Sequence, residues 1–178
     1  QSLWVGHAAW AGAQRIEGLH QLPSLRGSAP LPPRCHSEVV GLLGPAAAEA
    51  WGHLMPELRH LLQHRPHPGC NLACQQLGVV TKKVPVTATS FVHRDAEWKP
   101  WITAAWTPGD ADGRCRSLAW LEAVWQILQP VCPGVHLAQL HDHLPFHQRE
   151  LEAAFGPWLL ELRKLKQRLD PAGILPAL

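Results

Sequence analysis

Tyrosine is absent from the 178 residues, methionine occurs once and phenylalanine three times. The missing phenol removes tyrosine as an acid, base or nucleophile anywhere in the chain. No run of about 18 apolar residues occurs, so no segment reads as a membrane-spanning helix. The start lacks a basic stretch followed by an apolar one, the pattern of a secretory leader. Charged residues make up only 17% and the formal net charge is +2. The 16 basic residues are scattered, without a stripe or interleaved aromatics, which argues against a nucleic-acid surface. A Gly-rich loop of the kind that cradles a pyrophosphate is missing too.

Hydrophobic residues reach 46%, enough for a core in one domain or one and a half. A chain of this size buries roughly two-thirds of the surface it exposes when unfolded. Nine tryptophans supply most of the aromatic surface. Five cysteines (Cys35, Cys70, Cys74, Cys115, Cys132) are an odd number at irregular spacing. They read as mostly reduced and buried, which suits a cytoplasmic protein.

Along the chain, Leu3 to Trp10 reads as a strand and Gln14 to Leu22 as a short helix ended by Pro23. A Gly/Pro-rich loop runs from Arg26 to Arg34. Ala46 to His64 has helical spacing in Trp51, Leu54, Leu58, Leu61 and Leu62, with Pro56 expected to start a second segment. Asn71 to Leu77, Lys83 to Val92 and Trp101 to Thr107 are β-rich runs separated by Gly or Pro. Short joints between them predict a largely antiparallel sheet. A turn at Pro108 to Gly113 leads to a helix whose Leu118, Leu121, Trp125 and Leu128 share one face. Val135 to Leu140 reads as one more strand. Leu151, Phe155, Trp158, Leu162 and Leu165 then form a stripe predicted to be buried, with Glu161 and Lys164 exposed. Gly156-Pro157 divides this last stretch into two helices. The succession predicts an α+β fold: a mainly antiparallel sheet with helices packed on one face.

Two stretches carry a resemblance. Val84 to Arg94 reads Val-Pro-Val-Thr-Ala-Thr-Ser-Phe-Val-His-Arg and follows Leu77-Gly78. Near the end stand Phe155-Gly156, Leu162, Lys166 and Asp170-Pro171. Both, with the Trp-rich elements between them, resemble the substrate-side half of FAD-linked oxidases of the berberine-bridge-enzyme-like family. Three positions depart from that pattern: Val79 replaces a glycine, Gly173 an asparagine, and Gln139 stands near where a tyrosine would. The resemblance implies a substrate-binding (cap) domain over residues 1–145 and a C-terminal segment over 146–178. It implies FAD held mainly by an N-terminal FAD-binding domain absent from this chain, with Asp170 and Pro171 on the cofactor side. A small-molecule alcohol or similar C–H donor would pass a hydride to the flavin. The alternative reading is an inactive remnant, or a binding module without flavin.

Candidate site residues follow. His141, beside Asp142 and close to Gln139, combines a near-neutral titrating group with a carboxylate and could serve as base. Asp142 could equally cap the next segment. His93 and Arg94 end a β-rich run and could meet a polar substrate or make structural hydrogen bonds. Gln75 and Gln76 alternate on a strand, so one of them faces the open side of the sheet; Gln76, Ser90 and Thr103 are the substrate-side candidates. His64, His67, Cys70 and Cys74 are bunched rather than split into two distant pairs. They read as surface histidines and buried cysteines, and no metal is expected.

Overall fold

The computed structural model describes residues 34–78, 80–137 and 147–174. Strand β1 is Cys35–Leu42, helix α1 Ala47–Gln63, strand β2 Asn71–Gln76 and strand β3 Trp98–Trp106. Helix α2 is Ala111–Leu128, strand β4 Gly134–Val135, helix α3 His147–Phe155 and helix α4 Trp158–Leu169. The strands form one sheet in the order β2-β3-β1-β4, and each pair is antiparallel. The α+β class expected from the sequence is the one observed.

Helices α1 and α2 cover one face. Val39 of β1 and Ile102, Ala104 and Trp106 of β3 meet Leu58 of α1 and Trp120, Leu121, Val124, Trp125 and Leu128 of α2. The buried residues of α2 recur at spacings of three and four, so one side of the helix enters the core. Polar groups carried in with them are paired. Ser117 Oγ donates to the Ala105 carbonyl at 2.7 Å, and Trp120 Nε1 donates to the Leu61 carbonyl at 2.8 Å. The start of α2 is set by Asp110, whose carboxylate accepts from the Gly113 N–H at 2.8 Å. Gly109, at φ 83°, makes the turn just before it.

Several expectations are corrected. Lys83 to Val92 is not a strand: Val80–Lys83 and Val86–Ala88 are short 3₁₀ turns, and the rest is irregular. Its β-branched residues have no partner strand, and Val80 and Val86 lie exposed, so propensity alone does not build a strand there. Pro85 also lacks a donor for any ladder. Pro56 does not start a new segment but sits inside a continuous α1. The carbonyl it deprives belongs four residues back to Gly52, and both residues are exposed, so water can satisfy it. The stripe over α3 and α4 is only partly buried. Leu151 and Leu159 are buried, Phe155, Trp158 and Leu162 half-buried, and Leu165 is 40% exposed. Glu161 and Lys164 are exposed and paired at 2.8 Å. Of the cysteines, only Cys70 and Cys132 are buried; Cys35, Cys74 and Cys115 are exposed.

Pro100 is fully buried within β3, a strand paired on both sides. Gly41 of β1 lies against it, and a side chain at Gly41 would collide with Cys132 and Trp125. Leu3 to Trp10, Gln14 to Leu22 and half of Val135 to Leu140 (residues 138–140) lie outside the described residues, and in the other half only Val135 belongs to a strand. Among the described residues, no helix is long and apolar enough to cross a membrane.

Candidate functional site

Strand alternation sorts the sheet residues into two sets. One set joins the helices. The other lies on the opposite face, where directly opposed residues form cross-strand rows. Thr103 stands opposite Glu38 on one side and Asn71 on the other. The next row is Val40, Trp101 and Ala73. Lys99 is opposite Gln75 beyond it. Together with Arg34 and His36, five of these residues (Glu38, Asn71, Ala73, Trp101 and Thr103) line an open cleft of about 270 Å³.

The cleft is polar around one indole. Thr103 Oγ1 donates to Glu38 Oε1 at 3.1 Å, which fixes the carboxylate against the sheet. Thr103 is only 8% exposed, so its hydroxyl is a short and rigid support. Lys99 Nζ lies 5.3 Å from the centre of the Trp101 ring, within cation–π range. A carboxylate, an amide, an imidazole and a guanidinium thus converge on a concave surface with an aromatic floor. Such a surface can hydrogen-bond a polar ligand, stack on it, and accept a proton at Glu38.

The residues proposed from sequence fall in different places. Thr103 lines the cleft. Gln76 is exposed and alternates onto the helix side, opposite Trp98, whereas Gln75 shares the face of Lys99 and Trp101. Ser90 is exposed in the irregular segment before β3. His93 does not line the cleft. Its Nε2 lies 2.6 Å from the Ala153 carbonyl oxygen, and its ring packs on Gly134 and, edge-on, on Phe91. Arg94 lies over Phe91, with its guanidinium 5.1 Å from the ring centre, and donates to the Thr89 hydroxyl. Asp170 ends α4: one carboxylate oxygen accepts from Lys166 Nζ at 2.7 Å, the other from the Ile174 N–H at 2.8 Å. Pro171 is exposed in the turn that follows. Gln139, His141 and Asp142 lie outside the described residues.

Sequence reasoning missed Arg34, His36, Glu38 and the cleft role of Asn71 and Trp101. The available signal was the alternation of His36 and Glu38 with Ser37 and Val39. Of the bunched histidines and cysteines, Cys70 is buried against the Ala105 backbone and Ser117, while Cys74 is exposed on β2. Among the described residues, no group of three or more His, Cys, Asp or Glu is placed to hold a metal.

A flavin nucleotide also needs its phosphates held. Gly78, Gly109, Gly156 and Gly173 are the described glycines with positive φ, each alone in its turn. The start of α2 already has its Gly113 N–H bonded to Asp110 and carries Asp112 besides. An anion is poorly received there. The described residues therefore fit a substrate or a ring, but not the pyrophosphate.

No protein-family model matches the chain. Among curated proteins, a "Nucleotide-binding protein" of Synechococcus sp. (strain JA-2-3B'a(2-13)) is 41% identical over 73 residues, 36% of this chain and 22% of that protein. Solved structures give a longer match. Berberine bridge enzyme from Eschscholzia californica aligns at TM-score 0.62 and 19% identity, over 81% of this chain and 32% of its own. Physcomitrella patens BBE-like 1 aligns at 0.59 and 14%, over 84% and 30%. CrmK, a flavoenzyme involved in shunt product recycling in caerulomycin biosynthesis, aligns at 0.63 and 19%, over 80% and 31%. The chain thus shares a fold with part of these flavoenzymes and spans about a third of their length.

Proposed function

We propose that the chain is the substrate-side portion of an FAD-dependent oxidoreductase of the berberine-bridge-like type. The observation that carries this reading is the polar cleft on the sheet face opposite α1 and α2, in a fold shared with part of several flavoenzymes. Residues 1–145 serve as the cap domain and 146–178 as the C-terminal segment, with Asp170 and Pro171 towards the cofactor. The flavin is held mainly by an N-terminal FAD-binding domain, because the described residues offer its phosphates no cradle. When bound, flavin supplies the hydride acceptor for an alcohol or similar C–H donor.

This chain's own part is to hold the donor and take its proton. Trp101 gives the apolar floor, Asn71 and Thr103 orient polar groups, and Glu38 accepts the proton of the alcohol. Gln139, His141 and Asp142 form a second group of candidates for that proton, and Gln76, Ser90, His93 and Arg94 for outer substrate contacts. The second reading is a binding module that has lost catalysis, favoured by the absence of any tyrosine.

Titrating the chain into FAD, followed by flavin fluorescence, tests the division of labour. Low-micromolar binding needs about −8 kcal/mol after the costs of association, and one ring face is not expected to supply it. No saturation is expected with the chain alone, and binding is expected once a matching flavin domain is added. Saturation by the chain alone at low micromolar concentration overturns it. In the combined protein, Glu38→Gln should lower turnover at least tenfold with the flavin still bound. Unchanged turnover removes Glu38 from the mechanism.

A further inference from the structure

Two exposed histidines stand four residues apart at the end of α1, His60 in its last turn and His64 as the residue that caps it. Residues at this spacing lie one above the other on a helix face. Their rings do meet: the centroids are 4.3 Å apart and the planes tilted by 38°. The His60 carbonyl, one of the orphan acceptors at a helix end, takes two contacts from His64. The backbone N–H donates to it at 3.1 Å, and ring Nδ1 lies 2.9 Å from it.

That second contact sets the chemistry of the ring. A carbonyl only accepts, so Nδ1 of His64 carries the hydrogen, and the neutral ring keeps its lone pair on Nε2. Metal-bound histidines are held in the same way, with one ring nitrogen donating to a backbone carbonyl or carboxylate and the other facing the ion. Neighbouring histidines differ. Nδ1 of His67 accepts from the Gly69 N–H at 2.9 Å, which places the hydrogen of its neutral ring on Nε2. His53 stands two turns back along α1.

We propose that His60 and His64 form a two-imidazole binding site for a divalent transition-metal ion, Cu²⁺ above Ni²⁺ and Zn²⁺, at the exposed C-terminal end of α1. Imidazole suits these ions, and the order of affinity is the usual one for a site with few geometric constraints. Two protein ligands are the complement. No third His, Cys, Asp or Glu converges on the pair among the described residues, so water completes the coordination. The site is separate from the polar cleft and independent of any flavin.

The test is titration of the whole chain with CuCl₂, followed by calorimetry and electron paramagnetic resonance. Cys35, Cys74 and Cys115 are exposed and are first blocked by alkylation, because free thiols reduce and bind copper. The expected result is saturable binding with hyperfine splitting from two imidazole nitrogens. His60→Gln and His64→Asn should each weaken it at least tenfold, and His53→Gln should leave it within twofold. Both substituted positions are exposed, and Asn is tolerated at a helix C-terminus, so the fold should be retained. Unchanged affinity in His60→Gln and His64→Asn, or an equal loss in His53→Gln, overturns the proposal.

Discussion

His93 Nε2 sits 2.6 Å from the carbonyl oxygen of Ala153, tying the irregular segment before β3 to helix α3 across 60 residues of sequence. The ring reaches that carbonyl by passing over Gly134 of β4. A Cβ at Gly134 would fall 2.2 Å from His93 Nε2. Gly134→Ala should therefore expel the ring and cost about 1–3 kcal/mol, the range for overpacking. A double-mutant cycle with His93→Ala checks it by urea unfolding. The two losses should be far from additive, because both remove the same contact. Additive losses would separate Gly134 from the ring.

Asp110→Ala should cost about 1 kcal/mol, since it leaves the Gly113 N–H without its side-chain acceptor. Asp110→Ser should recover most of that loss. Equilibrium denaturation of the two variants decides it.

Burial pushes the Cys132 thiol up to about 12, with neighbouring Cys74 adding to the shift and a backbone hydrogen bond at Leu42 opposing it. The folded state then holds a proton that the unfolded state releases near pH 9. This contribution is intact below about pH 9 and declines by about 1.4 kcal/mol per unit as pH rises towards 12. Cys132→Ala should flatten that alkaline decline. In the parent at pH 8, iodoacetamide should label Cys35 and Cys115 and spare Cys132, read by peptide mass. Labelling of Cys132 at an equal rate would contradict its burial.

Leu58, at 1% exposure, and Leu165, at 40%, separate core from surface. Leu58→Ala should cost about 2–5 kcal/mol, whereas Leu165→Ala should stay within about 0.5 kcal/mol. Thermal melts of both variants provide the comparison. A large loss at Leu165 would mean that its exposed edge is covered in solution.

These contrasts mark where the sequence was readable. Strand β3 stood out through its tryptophans, Ile102 and Thr103. In contrast β2, Asn-Leu-Ala-Cys-Gln-Gln, has no β-branched or aromatic residue and was marked only by its place between Gly69 and Gly78. Strand β1 did not stand out, because Val39, Val40 and Leu42 are all buried and its inner end shows no alternation. Glu38 and His36 therefore went unread, although Thr103, their neighbour across the sheet, was identified. In Lys83 to Val92, local propensity pointed to a strand that has no partner. The choice between Gln75 and Gln76 turned on strand parity, which only the register with Lys99 and Trp98 decides. Helix α4 misled differently: its heptad-like spacing marks one face, but spacing does not say what covers that face.

Pro100 brings no amide hydrogen to the middle of β3, so the ladder of this central strand has a missing rung. The two ends of the strand need not open together. Trp101 to Trp106 pairs with β1 throughout, is joined by β2 as far as Thr103 and is backed by α2. By contrast, Trp98 and Lys99 pair with the end of β2, with one bridge from Trp98 to Leu43, next to the irregular segment. Amide hydrogen exchange should divide at the proline, with slow, cooperative protection from Ile102 to Ala105 and faster exchange at Trp98 and Lys99. The half of the strand that carries Trp101 and Thr103 would then remain a rigid platform while the other half breathes.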